Sequence, residues 1–275
     1  MFLAVEAEPG EFPTILLEDL FEFPAFLFED TFFAFNRTAL LYLFAAAIVG
    51  ALMIGAFRNA KVVPGRFQSA MEALVELVRN NIIIEVMGPK GLRYLPLLAS
   101  MFLFILINNL FEITPFINFP STGRMALPAF LASVTWITFI LAGIRNQGLA
   151  YFKNAIVLPG VPPVLHVLLI PIEFVSTFIV RPLTLAVRLF ANMMAGHILL
   201  AVAFLATNAF LIDVNAGFTN AYFFLNGFGG VLAGIGTLAG AVALIGFELL
   251  VSVLQAYIFT ILTAVYIASS MTADH

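Results

Sequence analysis

Residues 164–212 run for nearly 50 positions dominated by apolar side chains, and residues 228–268 form a second such run of about 40. As one α-helix the first would be roughly 70 Å long, more than twice the thickness of a bilayer's hydrocarbon core. No turn signal divides either run into two clean spans. Each is therefore expected to be a single over-long membrane helix, accommodated by tilt, kinking or a re-entrant start. Pro171 and Pro182 are the kink points of the first. Composition leads to the same class. The 275 residues are 62% hydrophobic and 10% charged, against about 45–50% and about 25% in a soluble domain. That leaves too few polar residues to cover the apolar surface in water. A soluble enzyme and a disordered scaffold are excluded. A nucleic-acid binder is excluded too, since the net charge is −4 and no basic stripe is interleaved with aromatics. With no cysteine there is no disulfide and no thiolate chemistry.

The first clear span is 38–57. Arg58, Lys61, Arg66, Arg79, Lys90 and Arg93 follow it, six of the twelve basic residues, and the positive-inside rule places them in the cytoplasm. The tail 1–37 is then outside. Its first 35 residues hold eight of the sixteen acids and no Lys or Arg, so it is not a secretory signal. It is also rich in Phe, and we read it as a tail resting on the membrane interface. Residues 66–87 read as an interfacial amphipathic helix, with Glu72, Glu76 and Arg79 on one face and Met71, Leu74, Val75, Val78 and Ile82 on the other. Spans 95–116 and 127–144 form a hairpin through a turn at 118–123, and Arg145 and Lys153 return the chain to the cytoplasm. Residues 154–163 are rich in turn formers and read as a loop. The linker 213–227 has no basic residue and is placed outside, which leaves the C-terminus cytoplasmic. The expected fold is an all-α integral membrane protein in one domain, 38–270. It has about five membrane-embedded helices plus the interfacial one, and the last two are long and tilted.

The two long runs carry Glu173, Arg181, Arg188, His197 and Glu248, with Asn192, Ser252 and Gln255 beside them. A charge at mid-bilayer costs about 2.5–3.5 kcal/mol on insertion scales, so such groups are functional hypotheses by default. Arg181, Thr184, Arg188 and Asn192 step by three or four and share one helical stripe; Glu248, Ser252 and Gln255 share another. His197, nine residues past Arg188, falls about half a turn away from it. Gly196 and Ala186, Ala191 and Ala195 permit close approach of another helix. Arg181 reads as snorkelling at the cytoplasmic boundary and His166 as interfacial. Glu112, beside Asn108 and Asn109, leaves two readings open: an interfacial acid, or a group that wets an access path. Imidazole and carboxylate can take and release protons. Arginine cannot, but it can act as a fixed electrostatic gate that attracts a partner's carboxylate. No metal cluster, nucleophile–base pair, Walker loop or dinucleotide fingerprint is present in the sequence, so no cofactor or metal is expected and the chain is not an enzyme on its own.

At these residues a resemblance becomes visible. The run from Arg181 to His197, with Arg188, Asn192 and Gly196 within it, resembles the signature of subunit a of F-type ATP synthases, the stator half of the membrane proton channel. Residues 254–266, beginning Leu254-Gln255-Ala256-Tyr257, are similar to that family's C-terminal helix motif. Tyr94-Leu95-Pro96 resembles the start of its hairpin, and Pro162 with Pro171-Ile172-Glu173-Phe174 the entry to its first long helix. The likeness runs from about residue 38 to 270. It implies that the last two helices pack against a c-subunit ring, with a b-subunit peripheral stalk and other synthase subunits as further partners. It implies that Arg188 faces the ring and separates two half-channels, with Gln255 across from it. Asn192, His197 and Glu248, with Ser252 on the same stripe as the acid, would belong to the outside half-channel and Glu173 to the cytoplasmic one.

Two departures from the family pattern stand out. Many bacterial relatives carry the acid on the first long helix and the histidine on the second, whereas His197 and Glu248 hold those positions exchanged, so an acid–imidazole pair across the helices is expected. One extra residue lies between Glu173 and Pro182, which would rotate Glu173 by about 100° on a regular helix. The runner-up function is a self-contained proton-coupled secondary transporter. That would call for symmetric halves and a midplane substrate site, and the sequence shows no internal repeat. A non-conducting structural subunit would not need Arg188. With no transit peptide, the expected location is the plasma membrane of a bacterium.

Overall fold

The computed structural model describes residues 37–114, 123–157, 162–211 and 230–271. The acidic tail, most of the 118–123 turn and the 213–227 linker lie outside them. The described residues form helices joined by turns, with no strand among them, and five helices are long and apolar enough to cross a membrane. We number the α-helices α1 (Arg37–Phe57), α2 (Arg66–Val78), α3 (Leu95–Ile113), α4 (Ala126–Gln147), α5 (Ala150–Ile156), α6 (Pro163–Val175), α7 (Arg181–Leu211) and α8 (Gly230–Met271).

α3 is the hub. Its buried residues include Leu98, Ala99, Met101, Phe102, Leu103, Ile105 and Phe111, which cover most of its circumference. Around it pack α1, α2 and α8, and α8 also packs on α4 and α7. α1 turns the stripe Leu41, Ala45 and Val49 inward at four-residue spacing. Its opposite side, with Leu40, Leu43 and Ile54, is exposed apolar surface. Such a surface is stable only against hydrocarbon or another apolar body. α2 continues through a π turn at Arg79–Ile84 and a last α turn at Glu85–Met87, and Gly88 ends it with φ 66°. Ile82 and Ile83 in that π turn are fully buried.

The stretch 154–163 is not all loop, because α5 takes its first residues. Tyr151 explains this. A β-carbon at Gly143 would overlap the Tyr151 ring, so glycine lets the short helix fold back against α4. Tyr151 Oη and Ser270 Oγ lie 3.3 Å apart, Gln147 Nε2 donates to Ser270 O at 3.2 Å, and Arg181 Nη1 donates to Ser269 Oγ at 3.4 Å. The Arg181 guanidinium also stands 5.6 Å from the Tyr266 ring centroid. The last turns of α8 are thereby tied to α4, α5 and the start of α7. Arg181 does not simply snorkel outward.

The first long run is one helical rod whose α6 and α7 are joined by a π turn at Ser176–Val180. This corrects the rotation expected for Glu173. A π turn holds about one residue more than an α turn, so it absorbs the extra residue instead of passing a 100° twist along the rod. Its place has a cause. Pro182 has no N–H for the carbonyl of Phe178, and its ring would crowd that carbonyl in a regular helix. Thr184 Oγ1 donates instead to the carbonyls of Val180 (2.8 Å) and Arg181 (3.1 Å). Deleting exposed Ile179 should convert the π turn into an α turn and cost about 3 kcal/mol, the crowding of Pro182 against the carbonyl four residues back. Deleting equally exposed Leu199 from the regular part of α7 should unfold that helix's packing; heat denaturation in detergent compares the two.

Candidate functional site: a buried polar seam and an exposed arginine

α7 has two sides. Leu185, Ala186, Leu189, Met193, His197 and Leu200 face inward, while Leu183, Thr184, Val187, Arg188, Ala191, Ala195 and Leu199 are exposed. Arg188 therefore stands on an apolar outer face, seven residues past Arg181 and nine before His197. Among the described residues it has no ion pair or hydrogen bond. Asn192, one turn on, is half-buried. Half a turn round, His197 is buried.

The inner side forms a polar seam where α3, α7 and α8 meet. His197 Nδ1 lies 3.4 Å from Glu112 Oε1, and Glu112 is only 1% exposed. Glu248 on α8 is 4% exposed and rests its carboxylate directly on Gly196, where any β-carbon would overlap it. Asn109 Nδ2 donates to Ser252 O at 3.4 Å, linking α3 to α8 through the same layer. Asn108, the next residue back, is fully buried and donates to Phe104 O at 2.8 Å. Ser252 Oγ and Gln255 Nε2 are buried and meet no hydrogen-bond partner among the described residues. Buried polar atoms of that kind are ordinarily satisfied by ordered water.

The structure thus brings His197, Glu248 and Ser252 into one layer, with Gln255 one turn further along α8 on the same buried side. No hydrogen bond joins Gln255 to Arg188 among the described residues. The acid that meets the imidazole is Glu112 on α3, and the expected His197–Glu248 couple becomes a cluster of two acids and one histidine. Glu112 was legible only as an anomaly, an acid in an apolar span with Asn109 three residues before it; its neighbour across the fold was not. Glu173 is half-buried on α6 and stands apart. It lies about 22 Å along the rod from Arg188, while His197 lies about 13 Å away in the other direction. The arginine separates two regions of titratable side chains.

Comparison with known proteins gives a consistent family. A family model described as ATP synthase A chain matches residues 39–268. The chain is 41% identical over 266 residues to ATP synthase subunit a of Rhodococcus erythropolis, covering 96% of this chain and 92% of that one. It is 36% identical over 274 residues to ATP synthase subunit a of Pseudarthrobacter chlorophenolicus, covering 99% and 98%. The protein of the same name from Gluconobacter oxydans is 41% identical over 238 residues, covering 86% and 88%.

Contact between Gly196 and Glu248 generates a prediction. Gly196→Ala should destabilise the chain by about 1–3 kcal/mol through overpacking. Glu248→Ala in the same chain should recover most of that, a coupling of about 0.5–3 kcal/mol in a double-mutant cycle of thermal unfolding. Additive losses would mean the two groups do not touch.

Proposed function

Because this chain belongs to the ATP synthase A chain family, we propose that it is the proton-translocating stator subunit of an F-type ATP synthase in a bacterial membrane. The N-terminus lies outside and the C-terminus in the cytoplasm, as the basic residues after the first span favour. The exposed face of α7 and α8 packs against a ring of c subunits. A b-subunit stalk and the other synthase subunits complete the assembly. The chain itself does no chemistry on ATP; it conducts protons to and from the ring.

The observation that carries this reading is Arg188. A guanidinium keeps its proton, and on an apolar face at mid-helix it needs a counter-charge that this chain does not supply among its described residues. A carboxylate on a neighbouring subunit fits that need. Protons enter from outside through the polar seam, past Glu112, Glu248 and His197 and on by Asn192, and neutralise a ring carboxylate. The neutral site can then turn through lipid. After nearly a full revolution it meets Arg188 from the other side, and the positive charge favours release of its proton toward Glu173 and the cytoplasm. Arg188 blocks a direct leak between the two half-channels. Each charge crossing a 100 mV potential yields about 2.3 kcal/mol, so several protons are needed for each ATP.

A self-contained transporter is not supported. It would neutralise an intramembrane arginine within its own fold, and it has no relative among the proteins compared above. In inverted membrane vesicles carrying Arg188→Gln, ATP-driven acidification should vanish while the complex assembles and still hydrolyses ATP. Unchanged pumping at matched assembly would leave Arg188 a structural residue and end the mechanism.

A further inference from the structure

Between α1 and α2 the chain presents a tip that no other described residue covers. Every residue from Phe57 to Phe67 is exposed, and Gln68 is the first buried one. Val62 and Val63 stand out at 102% and 82% relative exposure. Arg58, Lys61 and Arg66 flank them, and no acid occurs between Phe57 and Glu72.

The tip is held in shape. Lys61 N–H donates to Gln68 Oε1 at 3.2 Å; Gln68 Nε2 donates to Lys61 O at 3.1 Å and to Glu72 Oε1 at 2.7 Å. The Phe67 ring lies against Gly55, 3.6 Å from where a β-carbon would stand, which folds the start of α2 back onto α1. Two β-branched side chains are thereby kept outward by half-buried hydrogen bonds, although turning them inward would hide apolar area. Position supplies the rest. The tip begins one residue past the span Thr38–Phe57, so it lies at the depth of the lipid headgroups.

We propose that residues 58–66 form an anchor for anionic lipid. Val62 and Val63 enter the boundary between headgroups and acyl chains, and Arg58, Lys61 and Arg66 gather phosphodiester headgroups of net negative charge around them. A zwitterionic lipid would satisfy the valines but leave three cations facing its choline groups with no acid in the turn to offset them. An anionic one satisfies both. The inference is independent of how Arg188 works.

Trp136 is the chain's one tryptophan. The full chain carrying Trp136→Phe and Val62→Trp, in lipid nanodiscs, therefore reports from the tip alone. Brominated phosphatidylglycerol should quench it at least about twofold more than the same fraction of brominated phosphatidylcholine, and the gap should shrink with salt. Adding Arg58→Gln, Lys61→Gln and Arg66→Gln should make the two lipids quench equally. Equal quenching before those changes would overturn the anionic preference. No quenching by either lipid would overturn the anchor, with aqueous iodide separating a tip in water from one covered by protein. Where Trp136→Phe impairs folding, Val62→Cys with an environment-sensitive fluorophore on the unaltered chain gives the same comparison.

Discussion

Hydrocarbon offers no hydrogen bonds, so every polar group inside a span must find a partner in the fold, in water or in another molecule. Glu112 and His197 answer each other across α3 and α7. Removing one member of such a buried pair typically costs about 3–5 kcal/mol. Ser252 and Gln255 keep buried polar atoms that no described residue meets. Arg188 is answered by nothing among the described residues. The seam gathers titratable groups inside the subunit, whereas the arginine presents its charge on the outer face.

Separation along one rod organises these groups. α6, the π turn and α7 carry Glu173, Arg188 and His197 in that order on a single helical path. The rod also faces two ways, since Arg188 looks outward and His197 inward. Sequence alone gives the spacing of these residues, but burial by α4 and α8 decides which side of α7 is the outside.

The legible parts of the sequence were those governed by solvent. Apolar runs located the membrane helices because a span must be apolar over its length, and the amphipathic stretch from Arg66 separated its faces for the same reason. Pairing across the fold was not legible. Glu112 lies 85 residues before His197, and no periodicity in α3 announces which helix will cover it. The π turn was hidden because it differs from an α turn by a single hydrogen-bond step. Only the counted extra residue and Pro182 hinted that the rod must absorb something. α5 was obscured by the prolines and glycine that follow it, while the cause of its helix, a ring seated on Gly143, is tertiary.

The bonds at the end of α8 have a mechanical consequence. In the assembly proposed above, a ring turning against this face would push back on it sideways, at Arg188 and along α8. A helix of 42 residues held only in its middle would bend under that load. Ser269 and Ser270 fasten its far end to α4, α5 and the start of α7. The sideways force is thereby shared among four helices, and each fastening is a short polar contact that resists sliding better than greasy packing does. The same serines that look like minor surface polarity in the sequence act as the bolts of a bearing.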